Sequence, residues 1–179
     1  MASIVTIGGS PSAPSRTAAL LTYCADYLTA GGVNVSAINV RDLDPAEVLR
    51  GQFNGATIQP ALASVAAAGG VIVATPVYKA SYTGVLKAFL DLLPQGGLSN
   101  KAALPLALGG TPAHSLMLDF ALKPVLAALN ADPVLTGVYL LDSQIEYQDG
   151  RDLRFTAPEA EARIHAALDA LLRVLQKSP

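Results

Sequence analysis

The chain has 179 residues, 51% of them hydrophobic and only 15% charged, which is enough to bury a core without disulfides or metals and is far from the composition of a disordered segment. A formal net charge of -2 supplies no basic field for nucleic acid, and the single Cys24 excludes an intramolecular disulfide and a cysteine-based metal cluster. One domain over residues 1–179 is expected, in a reducing, cytoplasmic setting, because no basic segment followed by a long apolar run marks a secretory signal at the start.

The first predicted strand is Ile4 to Ile7, followed by GGSPSAPSRT at 8–17. This stretch combines two glycines, four hydroxyl side chains and two prolines, and then places Arg16 where a helix should begin. A helix N-terminus already carries partial positive charge and unpaired N–H groups, so a cation there is misplaced unless an anion joins it. Leu20, Leu21, Cys24, Tyr27 and Leu28 then repeat at helical spacing with Cys24 on the core side, and Gly31-Gly32 marks the stop. A second strand is predicted over Val33 to Val40.

Gly51 to Tyr78 carries no charged residue, but Asn54, Gln59, Pro60, Gly69-Gly70 and Pro76 divide it into pieces too short to cross a bilayer. No membrane association is expected. Within it lies the third strand, Val71 to Ala74, followed by the loop TPVYKASY (75–82) and a helix with Leu86, Phe89, Leu90 and Leu93 on one side and Thr83 near its start. The fourth strand is Ala103 to Leu108, leading into Gly109-Gly110-Thr111. In the next helix Leu118, Leu122, Val125, Leu126 and Leu129 form one apolar stripe, while Met117, Phe120 and Ala121 form another. Pro124 lies inside it and cannot donate to the carbonyl of Phe120, which predicts either a kink or π-type bulge near Phe120 or a break at Lys123. Val134 to Leu141 is the fifth strand, Asp142 to Pro158 the one loosely organised region, and Ile164, Leu168, Leu171, Leu172 and Leu175 the last helix.

Continuous apolar strands joined by helices predict an α/β three-layer sandwich with a five-stranded parallel sheet. Ligands of such folds sit beyond the carboxyl ends of the strands, so the loops after strands one, three and four are where chemistry is sought. The first loop matches neither GxxxxGK[ST] nor GxGxxG. Ser10, Ser12, Ser15, Thr17 and Arg16, with the amides of a helix start, suit a terminal phosphate monoester; the alternative is a serine-rich turn with Ser15 as a plain N-cap. Pro76 and Val77 stiffen the second loop into an apolar section against which a flat ring can lie, with Tyr78 closing over it; the alternative is a packed connection. The glycines of Gly109-Gly110-Thr111, having no Cβ, let backbone approach a ligand closely, or simply turn the chain. Together the three loops point to a mononucleotide with a large flat ring.

The collinear blocks GSPSAPSR, ATPVYKASYTGVLKAFLDLLP and PLALGGTPAHSLMLDFALKPVL, with the later DSQ, closely resemble the NAD(P)H-dependent FMN reductases that serve alkanesulfonate monooxygenases. The resemblance runs from about Ile4 to Gln144. It implies a flavodoxin-like fold, a homodimer or homotetramer, FMN and NAD(P)H as the redox pair, and a flavin-dependent monooxygenase as the recipient of reduced flavin in sulfonate-sulfur assimilation. On this resemblance Ser10, Ser15, Arg16 and Thr17 hold the FMN phosphate, Pro76, Val77 and Tyr78 line the isoalloxazine, and Gly110 and Thr111 stand beside it. Ser12 stands where many relatives have arginine, which leaves Arg16 as the cation of the loop. Phe120 stands where close relatives have tyrosine, which removes a hydroxyl from the helix expected at the subunit interface.

Hydride transfer to flavin needs no protein nucleophile, and no catalytic acid or base is named. Two histidines, His114 and His165, do not make a metal site, and His114 with Asp119 lacks a GxSxG serine to complete a triad. Lys79 and Lys87 read either as solvated helix-end charges or as partners of a nicotinamide-side phosphate, and Lys79 is counted with the cofactor-binding residues. The rival readings are an FMN-containing quinone or azo reductase and a non-enzymatic flavodoxin-like electron carrier.

Overall fold

All five predicted strands are present in a computed structural model, which describes residues 3–148 and 152–177. They are β1 (Ser3–Gly8), β2 (Asn34–Asn39), β3 (Gly70–Pro76), β4 (Ala102–Gly109) and β5 (Val138–Leu141), paired in parallel in the order β2-β1-β3-β4-β5. The pairings Gly8 to Asn39, Gly8 to Ala74 and Pro76 to Leu108 bring the carboxyl ends of the strands to one edge. Strand alternation distributes the core between two faces. Ile4, Ile72, Leu104 and Leu106 pack toward α1 (Arg16–Ala30) and α6 (Pro158–Lys177). Val5, Ile7, Val71, Val73 and Ala103 pack toward α2 (Pro45–Leu49), α3 (Ile58–Ala67), α4 (Gly84–Leu90) and α5 (Lys123–Ala128).

Local chemistry sets the helix ends. Ser15 caps α1, its hydroxyl accepting from the Ala18 amide at 3.3 Å, and Gly31 with the left-handed Gly32 (φ 81°) ends it. Cys24 is buried in this helix, and burial pushes its thiol up to about 12. The periodicity did not single out α2 and α3. Asp44 caps α2 through the amides of Ala46 and Glu47, and the Glu47 carboxylate accepts from the amides of Ala56 and Thr57 and from the Thr57 hydroxyl. Those bonds, the Thr57 hydroxyl first, hold the Glu47 carboxyl below the usual carboxylate range. Among the described residues no helix is long and apolar enough to cross a membrane.

The structure corrects several boundaries. The third strand is longer than Val71 to Ala74, running from Gly70 to Pro76, and α3 stops at Ala67 with Ala68 as its cap, immediately before Gly69-Gly70. Strand five is shorter than Val134 to Leu141. Ala103 bonds the 133–135 segment with both its N–H and its carbonyl, and Pro105, facing the same side two residues on, has no N–H to continue the ladder. Regular pairing therefore resumes only at Leu106 with Val138. The region after β5 is also more ordered than expected: β6 (Ile145–Gln148) and β7 (Asp152–Phe155) form an antiparallel hairpin.

Near Pro124 the chain takes the π-type form. Leu118–Leu122 is a π-helical turn, with the Lys123 amide donating to the Leu118 carbonyl, and it runs without a break into α5. Widening to i→i+5 relieves the crowding that the Pro124 ring imposes on a regular turn. Met117, expected beside Phe120 on the second apolar face, is instead buried with Leu118 and Leu122, whereas Phe120 is 79% and Leu116 62% exposed.

Thr83 locks the first loop to α4: its buried hydroxyl donates to the Gly9 carbonyl at 2.5 Å and accepts from the Leu86 amide at 3.1 Å. Thr83→Ala removes a cap and orphans a buried carbonyl, so it should destabilise the fold by about 2 kcal/mol, whereas Thr83→Ser keeps the hydroxyl and should retain most of the stability. Urea denaturation checks this, and equal midpoints for wild type and Thr83→Ala would refute it.

Candidate flavin site

The carboxyl edge of the sheet carries a cleft of about 250 Å³. One end is the first loop and the start of α1. Ser10, Ser15 and Thr17 are buried there, the Ser10 hydroxyl accepts from the Ser12 amide at 3.3 Å, and Arg41 of the turn after β2 donates to the Ser12 carbonyl. Ser15 engages the Ala18 amide, while no protein acceptor takes the first-turn amides of Arg16 and Thr17 among the described residues. Arg16 is the first residue of α1, and no acidic side chain accompanies it in that turn. Its guanidinium lies 5.4 Å from the centre of the Tyr147 ring, held over the aromatic face.

The other end is built by the loops after β3 and β4. The Val77 amide donates to the Leu108 carbonyl at 2.8 Å, which presses the Pro76-Val77 section against β4. Tyr78 and Ser81 exchange backbone hydrogen bonds of 2.9 and 3.1 Å across a turn whose central residues, Lys79 (φ 51°) and Ala80 (φ 61°), both lie in the left-handed region. Two non-glycine residues there cost roughly 1–2 kcal/mol each, a strain located beside the cleft and carried by the surrounding bonds. The turn leaves Tyr78 48% exposed at the cleft wall. Gly109 is required by close packing, since a Cβ there would lie 2.1 Å from the Tyr139 hydroxyl. That hydroxyl donates to the Thr111 carbonyl at 2.7 Å; burial first, and the Asp142 charge second, raise its pKa.

Of the residues selected from sequence, Ser10, Ser12, Ser15, Arg16, Thr17, Pro76, Val77, Tyr78 and Gly110 line this one cleft. Lys79 and Thr111 are not among its lining residues: Lys79 occupies the tip of the strained turn, and the Thr111 hydroxyl caps the short turn Pro112–His114 through the Ala113 amide at 3.3 Å. Lys87 pairs with Asp91 at 2.7 Å, the helix-end reading of that residue. Gly109, read with Gly110 as part of the third loop, lines the cleft as well, whereas sequence reasoning did not select Pro14, Leu108, Asp142 or Tyr147, which also line it. Asp142 had a signal, since it opens DSQ at the carboxyl end of a fifth parallel strand. Tyr147 had none, because only the β6–β7 hairpin turns it toward Arg16.

The donor set matches FMN. Hydroxyls, two free helix amides and a guanidinium at one end suit a phosphate, and a stiff apolar wall with glycine backbone at the other suits a flat ring. The NADPH-dependent FMN reductase family profile matches residues 2–146. An FMN reductase (NADPH) of Pseudomonas putida strain KT2440 is 43% identical over 98% of this chain and 89% of its own. The NADH-dependent FMN reductase SfnF of Pseudomonas putida is 32% identical over 97% of this chain and 92% of its own. Among solved structures, the apo form of the NADH:FMN oxidoreductase EMOB superposes with a TM-score of 0.89 at 42% identity, covering 100% of this chain and 92% of that one. Oxidised flavodoxin 1 of Bacillus cereus, 14% identical with a TM-score of 0.62 over 99% of this chain and 100% of that one, shares the fold alone. The chain belongs to the NADPH-dependent FMN reductase family, flavin-reducing oxidoreductases built on the flavodoxin-like fold.

Proposed function

We propose that this chain holds FMN with its phosphate at the start of α1 and its ring against Pro76, Val77, Tyr78 and Gly110, and that reduced flavin leaves for a flavin-dependent monooxygenase. The carrying observation is Arg16 at the first position of α1, with neither an acidic neighbour nor a protein acceptor for the adjacent amides. NAD(P)H and FMN supply the hydride chemistry themselves. The chain's own work is to bind and orient: Ser10, Ser12, Ser15 and Thr17 offer hydroxyls to the phosphate, Arg16 offers charge, and the strained turn at Lys79 holds Tyr78 at the ring. In this reading Lys79 and Thr111 act from the cleft's rim, Lys79 toward the nicotinamide-side phosphate. A monooxygenase recipient is supported by the likeness to SfnF, and a cytoplasmic setting by the unpaired, buried Cys24.

The same reading includes a homo-oligomer, dimer or tetramer, whose interface is the π-helical turn. Leu116 and Phe120 stand exposed one turn apart, an apolar pair that a second copy would cover.

Arg16→Ala should lower FMN affinity about tenfold or more while leaving riboflavin nearly unchanged, since a charge-assisted phosphate bond contributes about 1.5–3 kcal/mol. Fluorescence titration with both flavins is the check, and equal losses would refute the assignment. NAD(P)H oxidation under air should rise with added FMN and saturate; a yellow protein indifferent to added FMN but responsive to quinone would make FMN a prosthetic group instead. Phe120→Asp should split the oligomer, because a two-fold contact brings each introduced charge near its own copy in a desolvated place. Light scattering across protein concentrations decides this, and an unchanged mass for a folded mutant would place the interface elsewhere.

A further inference from the structure

The cleft that receives the flavin is electrostatically lopsided. Arg16 stands at the phosphate end, and the other charged side chain in its lining is Asp142, at the carboxyl end of β5. Asp142 belongs to the ring end: its Oδ2 lies 3.8 Å from the position a Cβ on Gly110 would take, and Gly110 interposes no side chain between the carboxylate and the cleft. Among the described residues no hydrogen bond or ion pair engages this carboxylate. The nearby cation, Arg163, is committed to the Tyr139 carbonyl at 3.1 Å and to Gln144 Oε1 at 3.2 Å. The charge is felt by its neighbours, since it contributes to the raised pKa of the Tyr139 hydroxyl on the same wall.

Hydride transfer changes the charge of what lies there. The C4–H bond of the nicotinamide breaks with its electron pair, an N5–H bond forms on the flavin, NAD(P)⁺ gains one positive charge and the flavin ring gains one negative charge. Oxidised FMN presents a neutral ring to Asp142, whereas the hydride product presents an anionic one. We propose that Asp142 sets the cleft against reduced FMN, so that the flavin is held more weakly after it has accepted hydride than before. The discrimination is electrostatic and falls on the ring alone, because the phosphate is equally charged in both states. It supplies a physical reason for release of the product to a second enzyme. This inference rests on the placement of FMN given under Proposed function.

The test compares equilibrium binding of oxidised FMN with binding of chemically reduced FMN under anaerobic conditions, for wild type, Asp142→Asn, Asp142→Glu and Arg16→Ala. Asn keeps the shape of Asp, and the Asp142 side chain makes no capping bond, so Asp142→Asn should melt as wild type does. Removing the charge should tighten reduced FMN about tenfold and change oxidised FMN by less than about twofold. The two-electron midpoint potential of bound FMN should rise correspondingly by about 30 mV. Asp142→Glu should keep the wild-type preference for oxidised flavin. Arg16→Ala should weaken both redox forms alike. If Arg16→Ala weakens both forms while Asp142→Asn leaves their ratio unchanged, or shifts both equally, the role of Asp142 is wrong and the placement of FMN stands. If Arg16→Ala alters neither form, FMN lies elsewhere and both readings fall.

Discussion

The site depends on one hydroxyl. Thr83 donates to the Gly9 carbonyl and accepts from the Leu86 amide, while the Gly9 amide donates to the Ala74 carbonyl at 2.8 Å. These bonds join the exit of β1, the exit of β3 and the start of α4 in a place from which water is excluded, where an unpaired polar group is costly. The packing admits little slack: a Cβ on Gly9 would lie 2.6 Å from the Leu86 Cβ. The loops after β1 and β3 therefore keep a set spacing. The strained pair Lys79 and Ala80 persists because the Thr75 hydroxyl, accepting from the Thr83 amide at 3.2 Å, anchors the far side of the same loop.

The second face of the sheet supports the cleft from behind. Between α1 and α6, the Tyr23 hydroxyl donates to Glu161 at 2.6 Å, so its oxygen is left to accept from His165 Nε2 at 2.8 Å. Burial and Glu161 hold the Tyr23 phenol well above its ordinary value. The Tyr27 ring stacks on His165 with centroids 4.5 Å apart, and its hydroxyl donates to Asp169 at 2.9 Å. Phe155 of β7 meets Tyr23 edge to face. This packing seats the β6–β7 hairpin on α1, and from there Tyr147 reaches the Arg16 guanidinium. A polar and aromatic cluster outside the cleft thus seats the hairpin whose Tyr147 lies against the Arg16 guanidinium.

The π-helical turn serves a different purpose. Pro124 prevents a regular helix through Phe120, and the widened turn keeps Leu118 and Leu122 in the core while leaving Phe120 outward. Its phenyl ring has no hydroxyl to donate, so it offers the surface an apolar face alone.

Much of this was legible from the order of residues. The parallel sheet follows from apolar runs alternating with helix-period segments, and the loops after β1, β3 and β4 share an edge because parallel strands all end there. Arg16 and the hydroxyls around it, the stiff Pro76-Val77 section and the defect near Pro124 are local chemistry, readable from neighbours a few residues apart. Other features required the tertiary structure. The shortening of β5 comes from Pro105 on an adjacent strand, and the burial of Met117 from the extra residue in the π-helical turn. The cleft positions of Asp142 and Tyr147 depend on contacts between segments distant in sequence, Asp142 beside Gly110 and Tyr147 against Arg16. Sequence periodicity reports which face of an element is apolar; it carries no information about which distant side chain that face will meet, because folding, not spacing, brings the two together.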